Sequence, residues 1–129
     1  MGLDNKQKVL LAIYLEYQKD IPNMRENINS NIIGGDFEMF AIALAKLLNE
    51  RLITGADFSR GGRGNKILHV FTDNIKITVD GINYVEQKLE IEKTLTGPEK
   101  VREVADKGIK WGWEQAKDFA AKVLAEMLK

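Results

Sequence analysis

Residues 47–85 decide the fold of this chain, and they read LLNERLITGADFSRGGRGNKILHVFTDNIKITVDGINYV. The stretch holds the end of an apolar helix, two extended apolar segments with a basic glycine-rich loop between them, and the start of another helix. Apolar and β-branched residues predict short strands at 52–58 and 67–72. The glycines of residues 59–66 suit the connecting turn because glycine adopts nearly any backbone conformation. The sequence therefore predicts a β-hairpin with a mobile tip, set between two helices.

Two helices are predicted upstream of the hairpin. Asp36 follows two glycines and can accept hydrogen bonds from the free amides that open a helix, which we expect to run to Arg51. The apolar face of this helix is formed by Phe37, Phe40, Ala41, Leu44, Leu47 and Leu48. The first helix is expected at residues 5–18, with Asp4 as its cap and apolar residues at spacings of three and four. Residues 20–33 predict a loop and then one or two helical turns between these helices.

Two further helical patterns follow the hairpin. Thr78 can cap a helix that ends near residue 91, and Gly81 in its first turn allows close packing. Pro98 suits the first position of another helix, whose pattern continues to the C terminus. Glycine costs about 1 kcal/mol relative to alanine inside a helix, so a kink or a break is expected at Gly108–Gly112. The pattern alone leaves open whether this segment forms one helix or two.

The order of helix, strand, flexible arm, strand and helix is typical of a winged-helix domain, a scaffold used mostly to contact DNA. We therefore expect an α+β, mainly α fold: a winged helix-turn-helix with a three-helix core, a small antiparallel β-hairpin wing and a C-terminal helical extension. Residues 1–95 would form the winged-helix domain, and residues 96–129 would form the extension as one long or kinked helix. A chain of 129 residues has room for one such core.

Composition limits the classes of function. Nineteen lysines and arginines balance nineteen aspartates and glutamates, so binding to DNA would need a local basic patch. The chain has no cysteine and one histidine, and no acid–base or nucleophilic group of residues can be assembled, so we expect no enzyme, no metal site and no cofactor. No early apolar run resembles a signal peptide or a membrane span. The resulting expectation is a cytoplasmic protein without a membrane partner.

Two motifs of the chain resemble those of a known protein family. LLNERLI at residues 47–53 resembles a helix exit written as leucine, two or three polar residues, then leucine-isoleucine. ITVDGINYV at residues 77–85 resembles a helix entry written leucine-threonine-x-x-glycine-x-x-tyrosine-leucine. In this order and spacing, both are typical of the YjcQ-like winged-helix proteins of Gram-positive bacteria and their prophages. The resemblance covers roughly residues 5–91, implies a small three-helix winged-helix fold and brings no catalytic residue.

The predicted hairpin tip and the helix before it are the candidate contacts with double-stranded DNA. The candidate residues are Arg60, Arg63, Lys66, Lys46, Asn49 and Arg51. The first three put only positive charge on the tip, which can lie along a phosphate backbone or enter a narrow minor groove. The last three have side chains suited to contacting bases, but their helix carries a net charge of −1. They also lie in its C-terminal half, whereas bases are read mainly from the N-terminal half of such a helix. We expect an accessory transcriptional regulator that binds DNA weakly or as a dimer.

Residues 98–129 form a second candidate surface. Its apolar positions, spaced by fours and threes, are Ile109, Trp113, Ala116, Ala120, Val123 and Met127. This pattern suits a homodimer, docking to a protein partner, or a helix that folds back onto its own domain, and it spans fewer than three heptads. The rival function is therefore a winged helix used as a protein-interaction module, docking through this segment without binding DNA.

Overall fold

The computed structural model describes residues 2–128, and within them it contains six α-helices, one 3₁₀ helix and four short strands. In chain order these elements are α1 (Asn5–Tyr17), α2 (Met24–Asn27), the 3₁₀ helix (Ser30–Ile33), α3 (Phe37–Asn49), β1 (Ile53–Thr54), β2 (Asp57–Gly61), β3 (Lys66–Phe71), β4 (Lys76–Ile77), α4 (Val79–Lys88), α5 (Gly97–Lys110) and α6 (Ala116–Met127). The predicted α+β, mainly α class is confirmed, and the small antiparallel hairpin makes the arrangement consistent with a winged helix.

Side-chain caps start the helices where the sequence predicts them. At α1, Asp4 Oδ1 accepts a hydrogen bond from the backbone N–H of Gln7 at 2.7 Å, and the Gln7 side-chain oxygen accepts one from the backbone N–H of Asp4 at 2.9 Å. Asp36 and Thr78 each accept a hydrogen bond of 3.0 Å from a backbone N–H in the first turn of α3 and α4 respectively. Because loss of such a cap costs about 1 kcal/mol, these short-range bonds fix where each helix begins.

The hairpin is built from two separate ladders. β2 pairs with β3, whereas β1 pairs with β4 so that Ile53 lies opposite Ile77. Gly55 separates β1 from β2 with a φ of 81°, and a Cβ at this position would lie only 1.8 Å from the carbonyl oxygen of Asn74. The single strand predicted at 52–58 is therefore two strands, because the chain bends at a glycine that the opposite segment approaches closely.

The two motifs that carry the family resemblance meet at one carbonyl oxygen. After α3, the N–H of Leu52 donates to the carbonyl of Leu47 at 3.0 Å, and Arg51 between them has a φ of 61°, a left-handed conformation common at helix ends. The carbonyl of Leu52 accepts the N–H of Thr78 at 3.0 Å. A Cβ on Gly81 would lie 2.2 Å from the same oxygen. The predicted close packing at Gly81 thus joins the end of α3 to the start of α4.

Helix α1 lies at the centre of the core. Every residue from Val9 to Glu16 is buried, and α1 is contacted by α3, α4, α5 and α6. An α-helix that is apolar on nearly all sides must be surrounded by other elements to be stable in water. The helices on either side of the hairpin therefore pack around α1, and Phe58 and Val70 of the hairpin pack against the same core.

The C-terminal segment forms two helices that pack against each other. Gly112, with a φ of 92°, ends α5, and the chain turns through residues 111–115 before α6 begins. Gly108 stays inside α5, where a Cβ would lie 2.6 Å from the Cβ of Ala116. Residues on α5 and α6 share one buried cluster with α1, so the segment predicted as an extension beyond residue 95 packs into the same core.

Candidate nucleic-acid and protein interface

The three basic residues of the hairpin are all exposed. Arg60 lies in β2 beside a register shift, with its guanidinium 6.0 Å from the ring centre of Phe58 and Nη1 3.4 Å from the carbonyl oxygen of Asn65. Arg63 occupies the turn between the strands, and Lys66 begins β3. Across residues 2–128, no ion pair joins any of these three side chains to a carboxylate. Their charges are thus available to an anionic partner.

The three candidate residues of α3 and its end form a separate group. Lys46, Asn49 and Arg51 are all exposed. Beside them, both carboxylate oxygens of Glu50 accept hydrogen bonds from Lys6 Nζ at 2.8 and 2.9 Å. The hydrogen bond with Glu50 is the largest cause of a raised pKa of the Lys6 ammonium. The acidic charge of Glu50 is therefore partly compensated from α1.

A groove separates α3 from the hairpin. It has a volume of about 430 Å³, and the hairpin residues along it include Arg60 and residues 64–68. On the other side it is lined by Phe37, Glu38, Ala41 and Ile42 of α3. The groove thus brings the basic hairpin beside the N-terminal half of α3, whereas Lys46, Asn49 and Arg51 do not line it.

Several large apolar side chains are exposed around this groove. Phe37 is 42% exposed, Ile42 44% and Leu68 61%. The predicted apolar face of α3 is therefore only partly buried, because Phe37 stands at the first residue of the helix, where it lines the groove instead of the core. The exposure of Ile42 could have been predicted from the sequence, because Ile42 falls outside the apolar face that the helical spacing defines.

Most apolar residues of the predicted C-terminal docking surface are buried inside the chain. Trp113, Ala116, Ala120 and Val123 are all buried, Met127 is half-buried and Ile109 is exposed. Trp113 Nε1 donates to the carbonyl of Ile32 at 3.3 Å, and its ring stacks on Phe119 with centroids 5.7 Å apart. The alternative in which the segment folds back describes this arrangement, and in it the four buried side chains offer no surface to a partner.

A buried charged cluster, which the sequence analysis missed, joins three helices. Glu86 of α4 accepts hydrogen bonds at Oε2 from the Tyr14 hydroxyl of α1 at 2.8 Å, and Lys100 Nζ of α5 lies 2.8 Å from the same oxygen. Lys93 Nζ lies 3.3 Å from Oε1. Burial alone raises the pKa of the Glu86 carboxyl, but the hydrogen bonds from Lys100 and Tyr14 outweigh it, and the pKa lies below its ordinary 4.5. Burial, followed by the bond to Glu86, raises the pKa of the Tyr14 hydroxyl.

A second buried carboxylate, Glu16, holds the loop that follows α1. Its Oε2 accepts hydrogen bonds from the backbone N–H of Asn23 at 2.7 Å and from Asn27 Nδ2 at 3.1 Å, and Lys19 Nζ lies 3.0 Å away. A cavity of about 360 Å³ lies beside it, between α1, α2 and α6. These bonds give Glu16 a structural role, because they tie the connection between α1 and α2 to the end of α1.

The described part of the chain, residues 2–128, holds no group of three or more His, Cys, Asp or Glu side chains placed to bind a metal ion. His69 is exposed in β3, with its ring centre 4.6 Å from that of Phe71. Among these same residues, no helix combines the length and the apolar character that crossing a bilayer requires.

Comparison with known proteins agrees with the motifs that meet at Leu52. The family model described as "YjcQ protein" matches residues 7–104, which is most of the chain. The chain belongs to the YjcQ family. The match runs past the predicted resemblance at 5–91 into α5, in keeping with the packing of α5 into the common core. No curated protein and no solved structure matches the chain significantly.

Proposed function

We propose that this YjcQ-family protein is a winged-helix DNA-binding protein that grips the phosphate backbone through its hairpin and acts as an accessory transcriptional regulator. One observation carries the proposal: Arg60, Arg63 and Lys66 are exposed and free of carboxylate partners on the β2–β3 hairpin and its turn. Basic side chains placed in this way release counterions when they meet phosphates, and this release drives binding that is independent of base sequence.

The outer side of α3 supports weak selectivity between sequences. Bases are read mainly from the N-terminal half of a recognition helix, and in α3 that half presents Glu38 together with apolar side chains. Lys46, Asn49 and Arg51 would lie nearer the DNA groove from the other end of the helix. Their position suits additional backbone contacts better than a full set of base contacts.

The test is a fluorescence-anisotropy titration with random-sequence duplex DNA over a range of salt concentrations. Replacing Arg60, Arg63 and Lys66 together by alanine should lower the affinity about equally for every duplex. It should also flatten the slope of log affinity against log salt by about 0.9 for each phosphate that the variant no longer neutralises. Unchanged affinity and slope in this variant would refute the assignment of the hairpin.

A matched control removes the same charge from the two C-terminal helices. Arg102, Lys110 and Lys117 are also exposed and lie on α5 and α6. Replacing these three by alanine should leave the salt slope unchanged, because they lie outside the hairpin. An equal weakening in the two triple variants would mean that only net charge matters, and would contradict a specific role for the hairpin.

The exposed apolar side chains beside α3 favour a second candidate, a winged helix used as a protein-interaction module. Phe37, Ile42 and Leu68 are exposed apolar side chains that phosphates would leave without an apolar partner, and the chain has no net charge to attract DNA. Absence of binding to random duplex at low salt and about 10 μM protein, where non-specific DNA binding is ordinarily detected, would favour this module over the DNA-binding protein.

A further inference from the structure

The exposed apolar residues beside α3 form one continuous surface. Ile42 lies at its centre, because it lines both the groove shared with Phe37 and Leu68 and a neighbouring hollow shared with Met39. All four side chains are more than two-fifths exposed. Contiguous apolar surface with charged residues at its edges marks a contact with another molecule more often than isolated exposed residues do. We call these four residues, Phe37, Met39, Ile42 and Leu68, the apolar patch.

The groove within the apolar patch carries opposite charges on its two sides. On the α3 side stands Glu38, and on the hairpin side stand Arg60 and Lys66. The hollow beside Met39 is lined by Asp4, Lys6 and Lys46, none of which lines the groove. In the part of the chain that the structure describes, Glu38 has no ion-pair partner, and neither do the two hairpin residues. A patch with an acidic edge and a basic edge is complementary in sign to itself after a two-fold rotation.

We propose that the apolar patch is an interface with a second copy of this chain. In this two-fold pair the apolar patches of the two copies cover each other. Glu38 of each copy then faces Arg60 and Lys66 of the other copy. This proposal goes beyond DNA binding and does not depend on it. It nevertheless has a consequence for DNA binding. Because the pair covers the basic side of the hairpin, DNA and a second copy would compete for the same surface.

The charges favour a second copy over other occupants. DNA would neutralise the basic edge but would be repelled by Glu38 and would leave the apolar side chains without an apolar partner. A wholly apolar partner would bury Glu38, Arg60 and Lys66 without counter-charges, which is costly. A second copy supplies apolar cover and the opposite charge at both edges. The predicted C-terminal docking surface cannot serve instead, since four of its six residues, Trp113, Ala116, Ala120 and Val123, are already buried.

The proposal is tested by sedimentation velocity with two charge variants. Each should fail to pair with itself, whereas the two should pair with each other. One variant carries Glu38→Lys, and the other carries Arg60→Glu with Lys66→Glu. In each variant alone, like charges would face each other, so the dissociation constant of the pair should rise at least about tenfold over wild type. In an equimolar mixture the edges are again opposite in sign at both contacts, so a mixed pair should form with nearly wild-type affinity.

A pair of apolar variants with matched exposure completes the test. Leu68→Ser removes apolar surface from the patch and should also weaken the pair about tenfold, whereas Ile109→Ser, at an exposed site outside the patch, should leave it unchanged. Circular dichroism checks that each variant is folded. The proposal is overturned if wild type stays monomeric from about 1 μM to about 1 mM, the range of weak association. It is also overturned if the charge-reversed mixture does not pair, or if Ile109→Ser and Leu68→Ser have equal effects.

Discussion

The apolar face of α6 and the apolar patch beside α3 differ in what covers them. Trp113, Ala116 and Ala120 of the C-terminal segment are covered by this chain's own helices, whereas Phe37, Ile42 and Leu68 remain exposed. In the sequence, both regions show apolar residues with a helical or extended spacing. The comparison teaches that such spacing predicts a surface that must be buried, but it does not tell whether the same chain or another molecule buries it.

The largest effect is expected at the covered face. Replacing Trp113 by alanine should lower the free energy of unfolding by about 4 kcal/mol, because it removes a buried ring and leaves a cavity. Trp113→Phe keeps most of the ring and should cost clearly less, although it loses the hydrogen bond to the carbonyl of Ile32. Urea titration of the three proteins measures both changes. A near-zero change for Trp113→Ala would mean that the C-terminal segment does not fold back.

A smaller effect, dependent on pH, is expected at the buried charged cluster that fastens α5. Glu86→Gln should destabilise the protein by about 3 kcal/mol near neutral pH, because it leaves the largely buried Lys100 without its counter-charge. The folded-state pKa of Glu86 is lowered, so its stabilisation is present above the unfolded value of 4.5 and is lost as the pH falls through the lower folded value. The difference in the free energy of unfolding between wild type and Glu86→Gln should therefore become smaller below about pH 4.5.

Urea titrations of the two proteins over a series of pH values measure this difference in the free energy of unfolding. Lys100→Met is the matched variant, since it removes the other partner and should likewise flatten the pH dependence. A difference that stays constant down to the acid transition would contradict the lowered pKa, because it would mean that the pKa of Glu86 is the same in the folded and unfolded states.

The smallest effect on stability is expected at the uncovered face. Leu68→Ala should change the free energy of unfolding by less than about 0.5 kcal/mol, because its side chain is 61% exposed in the isolated chain. The measurement belongs at a protein concentration low enough to keep the chain monomeric. A destabilisation of about 2 kcal/mol or more would place Leu68 in the core and remove the contrast between the two faces.

Features set by short-range bonds were predictable from the sequence. The caps Asp4, Asp36 and Thr78 act on amides three residues away, so the residue type and its position before an apolar pattern suffice. Gly81 was predictable for a similar reason, since it stands in the first turn of a helix whose entry resembles that of a known family. The exposed basic hairpin also followed from local composition, because glycines favour a turn and charged side chains stay in water unless they are paired.

Features set by distant contacts were not predictable in the same way. Gly55 ends β1 only because Asn74, on the other side of the hairpin, approaches its backbone. Glu86 reads as an ordinary helix-surface residue until Tyr14 and Lys100 are brought against it from two other helices. The fold-back of α6 likewise depends on Trp113 reaching a carbonyl far away in the sequence. Each requires knowledge of which elements become neighbours, which one sequence pattern does not contain.

The central claim is that the hairpin beside α3 is the outward-facing functional surface and that the apolar face of α6 is buried in the core. Amide hydrogen exchange on the intact protein, with and without random-sequence duplex DNA at low salt, tests it most directly. Residues 57–71 should gain protection when DNA is added, and α6 should exchange slowly in both samples and change little. Rapid exchange in α6 of the free protein, followed by protection of α6 and not of the hairpin when DNA is added, would contradict the account.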